Sequence, residues 1–278
     1  MSISPTLRCP CKGQFLTAAF QYTEPPEGET RFDWGEQLYR RGYDRCTLCG
    51  HWFGHHDLDL SRLYAGDYVE KTYGGVEGMR RRFAKIMALP YEQSDNRQRV
   101  ARVRAFAHSR GIDERQQPRL LDVGAGLGVF PAVMAENGWQ VMALEQDVRT
   151  VEYLQSVVAI DALAQDLLNI KPAVVGLFDV VTFNKVLEHV EDPAALLIAA
   201  RRLLTPNGFV YVEVPDVAAA VDGPDREEFF VEHHHVFNLI SLAMLIDRTN
   251  YTIFQLGNLL EPSGKFTVYT FSICEGLY

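Results

Sequence analysis

"LLDVGAGLGVF", Leu120 to Phe130, sets three glycines at alternate positions, Gly124, Gly126 and Gly128, behind an aliphatic run with one carboxylate, Asp122. Glycine lets a ligand approach the main chain, and the N-terminus of a following helix offers unpaired N–H groups. The stretch therefore reads as a strand, a bare turn and a helix that form a nucleotide-binding corner. Its G-x-G-x-G spacing lacks both the G-x-G-x-x-G of dinucleotide sites and the lysine of a P-loop.

The texture around this corner sets the fold class. "RLLDVGAG", "QVMALEQD", "FDVVTFNKV" and "GFVYVEVPD" are apolar runs of strand length, and helix-like "GVFPAVMAENG", "VRTVEYLQSV" and "DPAALLIAARRLL" separate them. That alternation implies an α/β, Rossmann-like sheet, mostly parallel and covered on both faces. Asp192 before Pro193 suits an N-cap and first turn, and "TPNG", Thr205 to Gly208, is expected to turn that helix into the next strand. The chain closes with helix-like "SLAMLIDRTN" and two strand-like runs, "YTIFQLGNLL" and "KFTVYTFSI", expected as an antiparallel hairpin at the sheet edge.

Three regions are expected: an N-terminal segment, 1–65; a helical linker or lid, 66–117; and the α/β domain, 118–278. In the first, "YTEPPEGETRFDWG" is rich in turn residues, and no large core is evident to hold it. The second is cationic, from "GMRRRFAKIM" to "RQRVARVRAFAHSRG", with Gly111 as a stop and its arginines expected on a solvated face. A net charge of −9 over 278 residues argues against nucleic acid as the main partner. No signal-peptide core and no apolar run near the roughly 20 residues of a membrane span is visible, so the expectation is a soluble, cytoplasmic protein.

Asp122 narrows the ligand. A carboxylate is poorly placed beside a pyrophosphate but well placed beside a ligand that carries an ammonium and a sulfonium, which favours S-adenosylmethionine. Glu145 closes "VMALE" about twenty residues beyond the first glycine, where an acid accepts the hydroxyls of a ribose. The plain alternatives are that Gly128 serves helix–strand packing and that Glu145 is a surface acid at a strand end.

Together, "LLDVGAGLGVF", "ALEQD" and "FDVVTFNKVLEHVEDPAALLIAARRLLTPNGFVYVEVPD" resemble the class I S-adenosylmethionine-dependent methyltransferases. The resemblance implies a seven-stranded sheet with one antiparallel strand. It places the methionine portion of the donor on Gly124, Gly126 and Gly128, the ribose on Glu145 with Gln146 beside it, adenine on Asp166, and the methyl-donor end at Asn184. Leu167 either contacts adenine or packs in the core.

Cys9 and Cys11 in "CPC", and Cys46 and Cys49 in "CTLC", form two turns each followed closely by a glycine. Four thiolates in two such turns fit a tetrahedral, structural zinc that would stabilise the N-terminal segment. His51, His55 and His56 are alternative ligands or surface residues, and Cys274 is expected to be a small buried side chain. Zinc knuckles ahead of such a core resemble the C-methyltransferases acting on nucleotide-linked keto-deoxysugars. That resemblance implies a histidine after the fourth strand, met by His189, and a Tyr-x-Glu-His motif, met by Glu232 and His233 with Phe230 at the tyrosine position. His233 is expected as base, His189 as a second polar group, and Glu232 as orienting partner. Tyr68 and Tyr73 are lid candidates or packing residues. The function expected is methyl transfer to a nucleotide-linked sugar; the alternatives are an O-methyltransferase on another small metabolite and a non-catalytic zinc-ribbon scaffold.

Overall fold

The computed structural model describes residues 15–32, 34–35, 37–58 and 73–274; Cys9, Cys11 and Tyr68 lie outside these. Its centre is a seven-stranded sheet in the order β6-β5-β4-β7-β8-β11-β10. The strands are β4 (Arg119–Val123), β5 (Gln140–Glu145), β6 (Asp161–Ala164), β7 (Phe178–Asn184), β8 (Leu204–Pro215), β10 (Thr252–Leu260) and β11 (Phe266–Ile273). Neighbours from β6 to β8 are parallel, whereas β11 is antiparallel to both β8 and β10. The closing hairpin thus supplies the one antiparallel strand. Adjacent residues face opposite layers: Leu121, Val181 and Val210 join one core, while Leu120, Val180 and Phe209 join the other.

Helices α1 (Gly75–Met87), α2 (Asp95–Ser109), α3 (Val129–Glu136), α4 (Val148–Tyr153), α5 (Pro172–Val175), α6 (Pro193–Arg201) and α7 (Leu239–Arg248) pack around this sheet. Asp192 caps α6 as expected, its carboxylate accepting from the Ala195 N–H at 3.1 Å ahead of Pro193. The expected "TPNG" turn is instead drawn into β8. Phe178 pairs with Leu204 and Val180 with Phe209, so residues 205–208 bulge out of the ladder rather than ending it.

The N-terminal segment is a sheet whose core is shared with distant chain. Strands β1 (Leu16–Tyr22), β2 (Arg41–Cys46) and β3 (Trp52–His56) pair antiparallel in that order, and β9 (His235–Val236) adds to β3. Tyr22, Tyr43, Trp52, Phe229 and Val236 bury one another, with Phe229 5.1 to 5.5 Å from the rings of Phe20, Tyr43 and Trp52. The core that the local sequence lacks comes from residues near 230.

Of the two cationic helices, α1 keeps Arg80, Arg81 and Arg82 exposed as expected, whereas α2 differs. α2 turns Val100, Val103 and Phe106 inward, and on the same helix Arg99 is buried. Its guanidinium bonds Glu213, and Arg102 reaches the other Glu213 oxygen at 3.0 Å. Lys185 adds a contact at 3.8 Å. Burial alone would raise the Glu213 carboxyl, but Arg99, Lys185 and Arg102 hold it well below the usual range. Removing one member of such a set leaves buried charge without compensation. Glu213→Gln is therefore expected to lower unfolding stability by about 3 kcal/mol in urea titrations; an unchanged midpoint would show the network to be energetically idle.

Candidate active site

The carboxyl ends of β4 to β7 open on a cavity of about 750 Å³, within the range of small-molecule sites, roughly 300–1,000 Å³. Gly124, Gly126, Glu145, Gln146, Asp166, Leu167 and Asn184 all line it, so the structure gathers most of the expected cofactor residues. Glu145 accepts the Gly126 N–H at 2.5 Å, which ties the end of β5 to the glycine turn, and burial raises its carboxyl above the usual range. Asp166 caps the next turn by accepting from the Leu168 N–H at 2.9 Å. Leu167 both lines the cavity and packs in the core.

The three glycines separate by role. All have positive φ, at 68°, 54° and 76°. A Cβ on Gly124 would meet Val186 at 2.7 Å, and one on Gly128 would meet Leu154 at 2.6 Å. Gly128 is absent from the cavity wall and caps α3, so it serves packing. At Gly126 a Cβ would meet nothing within 4 Å; it would project into the space a ligand needs.

Asp122 stands behind the loop. It is 1% exposed and does not line the cavity; its Oδ1 accepts from Thr182 Oγ1 at 2.6 Å and Asn184 Nδ2 at 2.8 Å. Burial raises its pKa to about 7. Asp122 thus orients Asn184, whose buried Oδ1 has no partner. A bare cradle at Gly126, an acid at Glu145 and an unpaired amide oxygen at Asn184 are the donor set that S-adenosylmethionine requires, and the residues fit it.

At the other end of the cavity the rings of His189 and His233 meet edge-to-face, with centroids 4.7 Å apart. His189 Nδ1 donates to the Glu232 carbonyl at 3.1 Å, and His233 Nδ1 to the Glu228 carbonyl at 3.0 Å. A carbonyl only accepts, so each ring carries its proton on Nδ1 and its lone pair on Nε2. Burial lowers the His189 pKa to about 4 and that of His233 well below 6.5. Glu232 does orient a histidine, but through its main chain, and that histidine is His189. Its carboxyl is pushed up to about 7 by burial, and Oε2 is unpartnered.

Sequence reading missed Glu188 and Lys185, which line this cavity together with Tyr73, one of the two lid candidates. Glu188 lies beside His189 in "VLEHV", is wholly buried, and has no partner for either oxygen. Lys185 has φ of 59°, which no pattern announces; it bonds Thr267 and lies 3.2 Å from Glu261. Among the described residues, Glu188, His189 and His233 bring ligand atoms within 4.8 Å of one another, close enough to share a cation. The metal expectation elsewhere is half visible. Cys46 and Cys49 are buried on the turn between β2 and β3. His51 cannot replace a cysteine while its ring nitrogens hold Ser241 Oγ at 3.1 Å and His235 Nδ1 at 3.0 Å.

A family model described as "Methyltransferase domain" matches residues 89–256, more than half of the chain. The chain belongs to the methyltransferase-domain family. The chain thereby falls among the S-adenosylmethionine-dependent methyltransferases. This methyltransferase is 37% identical over 99 residues to a ubiquinone biosynthesis O-methyltransferase of Xanthomonas oryzae, covering 34% of this chain and 41% of that protein. A Pseudomonas aeruginosa protein of the same name is 35% identical over 109 residues, 36% of this chain and 47% of that one. The chain thus spans less than half the length of these curated relatives. Two solved structures share the fold. Magnesium protoporphyrin IX methyltransferase from Synechocystis has a TM-score of 0.56 at 18% identity, covering 77% of this chain and all of that one. A didemethyltoxoflavin N1-methyltransferase from Burkholderia thailandensis has 0.54 at 19%, covering 81% and 96%.

The unpartnered acid has a pH signature. Burial raises Glu188 from 4.5 to about 8. Such a raised carboxyl contributes stability that is full below the unfolded value and lost as pH climbs through the folded one. The histidines act oppositely, but only below about 6.5, so from pH 6.5 to 8 the acids act alone. The wild type should lose stability across that window and Glu188→Gln should lose less, as read from urea midpoints against pH.

Proposed function

We propose that the methyltransferase alkylates a small polar acceptor by base-assisted transfer, with His233 as base and His189 as a second polar group at the acceptor. When bound, S-adenosylmethionine supplies an electrophilic methyl carbon for in-line displacement. Gly124, Gly126, Glu145, Gln146, Asp166 and Asn184 would hold it, with Asp122 fixing Asn184 from behind. His233 Nε2 would take the proton of the attacking C–H or O–H group, and the adjoining His189 ring would hold the acceptor against it. The observation that carries this reading is the pair of imidazoles that meet edge-to-face in the cavity, each pinned through Nδ1 to a carbonyl.

The acceptor class we propose is a nucleotide-linked sugar, on the resemblance of "EHHH" with His189 to the keto-deoxysugar enzymes. Two observations favour a second reading, O-methylation of a hydroxylated small metabolite. Phe230 lines the cavity where that motif carries a tyrosine hydroxyl, and the curated relatives are named O-methyltransferases. The deciding experiment is calorimetric binding of S-adenosylmethionine to wild type, Gly126→Val and His233→Ala, followed by labelled methyl transfer to panels of nucleotide sugars and small phenols. Gly126→Val should weaken donor binding about a hundredfold, close to 3 kcal/mol. His233→Ala should bind normally and lose about 10²–10⁴ in rate. Proton–carbon correlation spectra of the product separate a new carbon–carbon bond from an ether. Normal transfer by His233→Ala removes the base assignment.

We infer that Cys46 and Cys49, with Cys9 and Cys11, hold a structural zinc. Support comes from the turn itself: the Gly50 N–H donates to the Cys46 carbonyl at 2.9 Å, and Gly50 takes φ of 71° to close it. Cys46→Ser should purify without stoichiometric zinc and lose hydrogen-exchange protection in β2 and β3; full metal content in that variant refutes the cluster.

A further inference from the structure

We propose that the N-terminal four-stranded sheet sets the position of His233, with Tyr43 and Gly54 as its positioning residues. The inference rests on the reading of His233 as the acceptor-side base. The segment that carries His233, residues 229–234, lies between the two sheets, and its main chain is satisfied chiefly from the N-terminal one. Arg41 Nη1 donates to the Phe229 carbonyl at 2.7 Å, and the Val231 N–H donates to Glu29 Oε2 at 2.7 Å. Arg41 Nη2 bonds that same Glu29 oxygen at 2.7 Å, so both anchors are locked to each other. The Tyr43 hydroxyl sits 3.1 Å from the Phe230 carbonyl and 2.8 Å from that of His233, donating its one proton between them. The Gly54 N–H donates to the His234 carbonyl at 2.9 Å.

Gly54 makes this a contact of backbone on backbone. A Cβ there would lie 2.5 Å from the His233 carbonyl oxygen, and neither the strand nor the loop offers a flexible tip that could yield. On the other side the segment is bound to the acceptor wall: the His234 N–H donates to the Glu188 carbonyl at 2.8 Å, and the Glu232 carbonyl holds His189. The N-terminal sheet therefore sets one edge of the gap across which His189 and His233 meet. A shift of about 1 Å at a reacting group costs on the order of a hundredfold in rate.

The test compares wild type, Tyr43→Phe and Gly54→Ala. Tyr43→Phe keeps the ring in its aromatic cluster and removes only the hydroxyl, so it folds even where the alanine strains the strand. Three quantities are read: the S-adenosylhomocysteine dissociation constant, kcat against KM for the acceptor, and the ring resonance of His233 in protein carrying ¹³C-labelled histidine, assigned with His233→Ala. The expected result is donor affinity within twofold of wild type, kcat lower by roughly 10- to 100-fold, and a displaced or broadened His233 resonance in both variants. An unmoved resonance with unchanged kcat overturns the proposal, as does donor affinity falling in step with kcat. Wild-type turnover by His233→Ala, with the resonance still displaced in the other two, refutes His233 as base and leaves the positioning intact.

Discussion

Asp122 accepts two hydrogen bonds across the β4–β7 ladder, at the point where strand order reverses, and the cleft is organised around that pair. From β4 the chain builds outward through β5 and β6, then returns to place β7 on the other side. Loops leaving β4 and β7 must diverge there, which opens a crevice at the strand ends. Thr182 and Asn184 sit two residues apart on β7, hence on one face, and both reach Asp122. The carboxylate takes one of the Asn184 amide protons, which fixes the amide and leaves its oxygen without a protein partner. A residue buried between strands thereby orients the group that the cavity at their carboxyl ends meets.

Much of this was legible because it is local. Gly124 to Gly128 and the strand texture mark a ligand-binding corner, the resemblance of the motifs gives it a donor, and the closing hairpin follows from two strand-like runs with no helix between them. What escaped depends on partners far along the chain. Arg99 reads as a solvated helix residue until Glu213, 114 residues away, arrives beside it. The N-terminal segment reads as coreless because Phe229 and Val236, which complete its core, lie in the distant half of the chain. Asp122 was expected beside the ligand and instead faces the ladder, bonded to Thr182 and Asn184, because a sequence does not say which way a strand-end carboxylate points. Glu188 was hidden by His189, the more conspicuous neighbour.

Charge at the acceptor end is settled among protein groups. Lys265 pairs with Glu227 at 3.2 Å, Arg226 with Glu228 at 2.9 Å, and Lys185 with Glu261 at 3.2 Å. These pairs rim the cavity while two neutral imidazoles and two raised carboxyls, Glu188 and Glu232, remain inside it. An imidazole kept neutral by desolvation holds its lone pair ready across the physiological range, at the cost of being a weaker base.

The two sheets depend on each other for different reasons. Strand β9 contributes only two residues to β3, too short a ladder to fix a loop by itself. Side chains from β2 and the segment before it complete the attachment, and they do so at carbonyls and an N–H that would otherwise be buried without partners. Leaving any of them unmade costs about 1–3 kcal/mol, so the loop and the N-terminal sheet are ordered together. A three-stranded ribbon of short strands lacks the apolar area to hold itself in register.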